Sequence, residues 1–250
     1  MGTADRAGGS SPHVAIIEVL HAPRPQPLYK YTHRKHAEAL AHRGEILLGT
    51  LYDYQDVELH GPMIGDEDEG KKVLFDNPGI ATGATLAAQS PFAARVAARS
   101  IGPIAQAPGV GFVGCLFTET HRTSDCWLYC MSAVLSGRVM RGMKKGYDAC
   151  VRIDYYHAFC SVIGAELVRQ NLIADHNWST GIIWCEYRER WQHYQKDDGL
   201  APIMLKAPKY AEQEEVRFAY FPTRPIAEKH RVLTLPDLAD CCTLLDEIPD

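Results

Sequence analysis

"KYAEQEEVRFAYFP" (Lys209–Pro222) sets a cluster of acidic and amide side chains against a short apolar run. The run Val216–Phe221 is rich in β-branched and aromatic residues, which predicts a buried strand. In a strand, residues two apart share a face. Gln213, Glu215 and Arg217 then form one row, with Glu214 and Val216 on the other. An unpaired charge facing a core is costly. Either Arg217 neutralises Glu215 as a structural ion pair, or the carboxylate faces a cleft and holds a polar ligand or a developing positive charge. A one-residue slip of register exchanges the faces and puts Glu214 in the place of Glu215.

Around this strand lie 250 residues that are 46% hydrophobic, ample material for a core. The opening "MGTADRAGGSSPH" is small and polar, without an apolar signal-peptide core, so residues 1–27 are expected to form a flexible tail and 28–250 a single α+β domain. A net charge of −5 argues against a broad nucleic-acid-binding surface. No apolar run approaches the length of a membrane span. Eight cysteines sit singly in apolar stretches such as "VGCLF" and "IIWCEY", as core thiols of a cytoplasmic protein would. Their spacings do not make the paired C-x-x-C of a zinc site.

"LYKYT" (28–32) reads as a strand after the Pro-rich "APRPQP". Thr32 is then placed to cap a helix, "HRKHAEALAHR", with Ala37, Leu40 and Ala41 on one face and Gly44 ending it. "EILLGTLYDY" follows as a strand. An acidic, turn-rich stretch from Asp53 to Glu69 comes next, without a role that its residues define. Ser90 and Pro91 start a short helix, and "GFVGCLFTE", "CWLYCMS" and "DACVRID" read as strands. "YYHAFCSVIGAELV" reads as a helix with Asp154 at its start, and "GIIWCEYRE" as a strand before "EVRFAYF". Six or seven strands with helices early and in the middle make an α+β chain rather than a regular βαβ alternation. The C-terminal "LPDLADCCTLLDEIPD" is amphipathic, and packing onto its own domain is favoured over dimerisation.

The phosphate-loop, zincin and nucleophile-elbow motifs are not present. "IGDEDEGKK" lacks the ligand spacing of an EF-hand. His33 and His36 lie one turn apart without a third ligand, so surface histidines are the simpler account, and no metal is expected. A metal-dependent hydrolase would need Asp66, Asp68 and Glu69 to meet those histidines. Nothing in the spacing selects a Cys–His pair, and apolar neighbours raise a thiol's pKa.

Three segments resemble ADP-ribosyltransferase-like proteins. "LYKYTHRKHAEALAHRGEILLGTLYDY" is similar to their opening strand, helix and glycine turn, "DCWLYCMS" to their central strand ending in a serine, here Ser132, and "AEQEEVRFAYFP" to their late Q/E-x-E strand, here Gln213 and Glu215. The same segments are similar to a large group of uncharacterised bacterial proteins that open with an LYKY strand and close with an E-x-R strand. The resemblance implies a split β-sandwich of two small, mostly antiparallel sheets with helices packed around, and NAD lying across the cleft as a substrate. Glu215 would stabilise the oxocarbenium ion as nicotinamide leaves, and Gln213 would orient the acceptor. Tyr29, Lys30, Tyr31, Thr32, Ser132 and Arg217 would contact the cofactor. Where the histidine class carries L-Y-H-Y-T this chain has Lys30, which either reaches a pyrophosphate or points to solvent. The implied activity is mono-ADP-ribosyl transfer to a macromolecular or small-molecule acceptor, or NAD hydrolysis where the acceptor is water. Such a protein would serve as a toxin, with an antitoxin partner, or as a phage-defence effector. The alternative is a non-catalytic binding or regulatory module of the same fold.

Overall fold

In the computed structural model, residues 27–62, 64–143, 146–174 and 180–250 are described, so the stretch read as a tail lies, but for Pro27, outside them. The chain opens with strand β1 (Leu28–Thr32), helix α1 (Arg34–Arg43) and strand β2 (Glu45–Thr50). Ala37, Ala39 and Leu40 are the buried residues of α1. His33, not Thr32, occupies its N-cap, because Thr32 is still paired with Ala149 in the sheet. Gly44 ends α1 at φ 61°, and a Cβ there would lie 1.8 Å from the Leu235 carbonyl oxygen, so only glycine fits.

Helix α2 (Val57–His60) and strands β3 (Lys71–Asp76) and β4 (Ile80–Thr82) follow, then helices α3 (Leu86–Gln89) and α4 (Pro91–Ile101). Ser90 caps α4 as expected, its hydroxyl accepting from the Ala93 amide with Pro91 in the first turn. "GFVGCLFTE" is two strands, β5 (Gly111–Val113) and β6 (Phe117–Arg122), broken where Gly114 takes φ 61°. Strand β7 (Trp127–Ser132), helix α5 (Gly137–Met143), strand β8 (Ala149–Ile153) and helix α6 (Tyr156–Arg169) complete the middle. Asp154 does not cap α6; Tyr155 holds that position, and Asp154 pairs with Arg152 at 2.8 Å.

The last third holds strands β9 (Thr180–Trp184), β10 (Glu186–Tyr187), β11 (Trp191–His193), β12 (Leu205–Lys206), β13 (Glu215–Tyr220), β14 (His230–Thr234) and β15 (Cys242–Leu245). The C-terminal stretch packs onto its own domain: Leu238 is in the core and β15 pairs with β8. Among the described residues no helix is long and apolar enough to cross a membrane.

The chain is α+β with mostly antiparallel sheets; the short β10–β12 and β11–β3 pairings are the parallel ones among the described residues. Eight strands form one sheet that forks at β7. Along one edge, β7 pairs with β13 over its full length, Glu215 opposite Ser132 and Tyr220 opposite Trp127. Along the other, Thr50 and Gly49 of β2 face Trp127 and Leu128, and Tyr29 of β1 faces Ser132. Residues 129–131 lie between the diverging arms, β2–β14 to one side and β1–β8–β15 to the other. Alternation gives the sheet two unlike faces. Trp127, Tyr129, Met131, Val216, Phe218 and Tyr220 pack with Phe159 and Ile163 of α6 in the main core. The opposite face carries Cys130, Ser132, Glu215 and Arg217, and forms a cleft.

Candidate functional site

The sheet's fork places residues from distant segments around one cleft. Tyr29, Lys30 and Tyr31 of β1, Ser132 of β7, Gln213, and Glu215 and Arg217 of β13 all line it; Thr32 does not. Tyr54, Ile64 and Glu69 line it too, so the acidic stretch that the sequence left without a role is a wall of the cleft. Tyr210 ties that stretch down by donating its hydroxyl to the carbonyls of Gly65 (2.9 Å) and Pro62 (3.1 Å). The cleft has a cavity volume of about 80 Å³. That is room for a few waters, and a nucleotide requires side chains to give way.

The row Gln213–Glu215–Arg217 is not one strand. Gln213 ends a 3₁₀ turn (Pro208–Gln213), and Glu214 turns the backbone through φ 40° before β13 begins. That left-handed residue is exposed, while Gln213 and Glu215 are both turned inward and buried. The structure thus separates the two adjacent glutamates, and Glu215 is the one in the cleft.

Glu215 is 6% exposed and doubly paired. Its Oε1 accepts from Arg217 Nε at 2.5 Å, and its Oε2 pairs with the Lys206 ammonium. Burial opposes its ionisation, but Arg217 and Lys206 outweigh burial and hold the carboxyl at about 2. Burial by itself would lower Lys206, and the Glu215 carboxylate reverses this and raises it. Arg217, 1% exposed, also binds Glu69 in bidentate fashion at 2.8 and 3.0 Å and donates to the Ile203 carbonyl at 2.7 Å. Its guanidinium is thereby occupied by protein. Arg190 extends the network to Asp66 at 2.8 Å.

Lys30 does not point to solvent. It threads the fork, donating to the Cys130 carbonyl at 2.8 Å and lying 4.6 Å above the Tyr129 ring. Burial lowers its pKa, with the Cys130 thiol and Glu215 opposing the shift. Two predicted contacts are committed to backbone. Ser132 Oγ donates towards the Gln213 carbonyl at 2.7 Å, fixing the turn before β13, and Tyr31 bridges the Val134 carbonyl (2.6 Å) and the Ser136 amide (2.7 Å). Tyr31, 3% exposed, thus has no free hydroxyl for a ligand. The Glu215 amide donates to the Tyr187 hydroxyl at 2.5 Å.

Sequence reasoning missed Lys206, Tyr54 and Tyr147, and considered Glu69 only as a metal ligand, where the structure pairs it with Arg217. Tyr54 and Tyr147 both line the cleft, and burial raises both hydroxyl pKa values, so they remain neutral donors at physiological pH. The one signal for Glu69 and Lys206 was the demand of Arg217 and Glu215 for counter-charges. Cys130 also lines the cleft, but burial pushes its thiol up to about 12, which leaves it inert as a nucleophile. The donors of the hydrolase alternative are not brought together. Asp66 and Glu69 face Arg190 and Arg217, and His33 Nδ1 lies 2.7 Å from the Gly146 carbonyl. Among the described residues no three His, Cys, Asp or Glu side chains are grouped to hold a metal ion. The chain matches no protein-family model, no curated protein and no solved structure.

Proposed function

We propose that the forked-sheet cleft binds NAD and cleaves its nicotinamide–ribose bond, in the manner of an ADP-ribosyltransferase, the two arms being the halves of a split sandwich. One observation carries this reading: the three segments with that family's likeness, about 185 residues apart at their extremes, contribute to a single cleft through Tyr29, Ser132, Gln213 and Glu215. The bond from the ribose anomeric carbon to the ring nitrogen breaks with its electron pair going to nicotinamide, whose pyridinium charge is thereby cancelled. Positive charge develops on the ribose, and a fixed carboxylate beside it lowers the barrier. Glu215 is that carboxylate, and its depressed pKa keeps it ionised at physiological pH. Gln213 orients the acceptor, whose nucleophile bonds to the anomeric carbon as its proton is released. With water as acceptor the products are ADP-ribose, nicotinamide and a proton. The half-buried Tyr29 ring offers a stacking face.

A second reading, a non-catalytic binding module, draws on the double ion pair, since both oxygens of Glu215 already have cationic partners. Nicotinamide release from NAD by the purified chain, measured chromatographically beside Glu215→Gln and Glu214→Gln, separates the two. Transfer or hydrolysis predicts release that falls about 10²–10³-fold in Glu215→Gln and is unchanged in Glu214→Gln, with both variants folded. A binding module predicts an NAD-dependent rise in melting temperature without release. Neither release nor a thermal shift would refute both.

A further inference from the structure

The two cations on Glu215 are held very differently. Arg217 is fixed by Glu69, by the Ile203 carbonyl and by its place inside β13. Lys206 sits at the end of a two-residue strand, and beyond Glu215 its ammonium meets the face of the Tyr210 ring at 4.8 Å. Lys206 is 3% exposed, so its flexible four-carbon stem re-aims only as the side chains around it give way. Lys30, on the far side of the cleft, has no carboxylate partner within ion-pair distance among the described residues; its contacts are a carbonyl and a ring. Lys30, Lys206 and Arg217 thus face two carboxylates, Glu69 and Glu215, while the adjoining Arg190–Asp66 pair is balanced. Among the described residues the cleft lining carries one positive charge in excess, so the complement it lacks is an anion.

We propose that Lys30 and Lys206 form a phosphoryl subsite, and that Lys206 is a mobile counterion which leaves Glu215 Oε2 for the ligand's diphosphate and so frees that oxygen for a ribose hydroxyl. The proposal rests on the NAD reading and specifies how the carboxylate is released from its pair. It accounts for two features together: a carboxylate capped on both oxygens, and a cleft too narrow for a nucleotide until a side chain moves. Arg217 stays in place and holds the carboxylate's orientation through Oε1. No covalent step is added; the exchange swaps one ion pair for another, the diphosphate being the stronger partner because it carries more charge and more acceptor oxygens.

The test is calorimetric titration of the full chain with ADP and with adenosine, beside steady-state nicotinamide release. Lys206→Met should weaken ADP roughly 10- to 100-fold while leaving adenosine unchanged. It should raise KM for NAD by a similar factor without a matching fall in kcat, since Glu215 Oε2 is no longer capped. A structural Lys206 gives the opposite split, a fall in kcat with KM unchanged, and overturns the proposal. Equal ADP affinity in wild type and Lys206→Met overturns it, as does a wild type that fails to bind ADP. If ADP binds in the expected pattern but no nicotinamide is ever released, the subsite stands and the NAD-cleaving reading falls. Lys30→Met leaves the Lys206–Glu215 pair intact and must also weaken ADP, which keeps the proposal testable should Lys206→Met not fold.

Discussion

Removing Glu69 tests whether the acidic wall is part of the machinery or loosely attached cover. Glu69 is 2% exposed and accepts from both terminal nitrogens of Arg217, itself 1% exposed, with a second cation, Arg190, 3.6 Å away. In Glu69→Ala, Arg217 keeps Glu215 and the Ile203 carbonyl but loses two charge-assisted hydrogen bonds, and one guanidinium edge is left buried without a counter-charge. Breaking a buried pair in this way costs about 3–5 kcal/mol, which for a chain of this length lowers the melting temperature by roughly 6–20 °C. Thermal unfolding followed by circular dichroism measures it. A double-mutant cycle with Arg217→Met isolates the pair, because the double variant carries no orphaned charge between these two positions and should recover part of the loss. A fall below about 2 °C in Glu69→Ala, or strict additivity in the cycle, would show that the Glu69–Arg217 contact does not hold the wall to the sheet.

Acid stability follows from Glu215. Its carboxyl is held at about 2 in the fold against an ordinary value of 4.5, so the ion pairs stabilise fully above that ordinary value and the contribution is lost as pH falls from about 4.5 towards 2. Urea midpoints taken at pH 6, 4 and 3 should drop less steeply in Glu215→Gln than in wild type; parallel curves would contradict the pairing. Gly44→Ala combines a left-handed backbone with a Cβ set 1.8 Å from the Leu235 carbonyl oxygen, and is expected to cost at least about 2 kcal/mol, or roughly 4–8 °C. An unchanged melting temperature would mean that the α1–β2 turn is not held as described.

The elements carrying a strong local pattern were readable from sequence, and the site only in part. β1, β7 and β13 show apolar or alternating runs long enough to register, and Ser90–Pro91 and Gly44 punctuate helices by rules that depend on one or two residues. Strands of two to four residues, such as β10, β12 and β15, have no period to detect, which is why six or seven were expected and fifteen are found among the described residues. The fork is equally silent, since it depends on which strand meets which half of β7. The row Gln213–Glu215–Arg217 failed as a strand because Glu214 takes a conformation that glutamate rarely adopts, although the three side chains still share the cleft. Glu69 lies 148 residues from Arg217, and no local pattern signals a contact at that separation.

Stability alone does not explain why charge was placed on this face of the sheet. A buried ion pair exchanged for well-packed apolar residues of similar volume is often neutral or stabilising. The same strands show that an apolar solution suits their backbone. One residue along from Glu215 and Arg217, Val216 and Phe218 fill the main core, and one residue along from Cys130 and Ser132, Tyr129 and Met131 do the same. The charges are confined to the side that opens into the cleft, and among the described residues their count there does not close, because half-buried Lys30 sits in the fork with no carboxylate within ion-pair distance. A network built for folding would be expected to balance, as Arg190 and Asp66 do beside it. An excess cation facing a cleft, next to a carboxylate whose second partner reaches it from a two-residue strand, is the physical ground for seeking a phosphoryl ligand here.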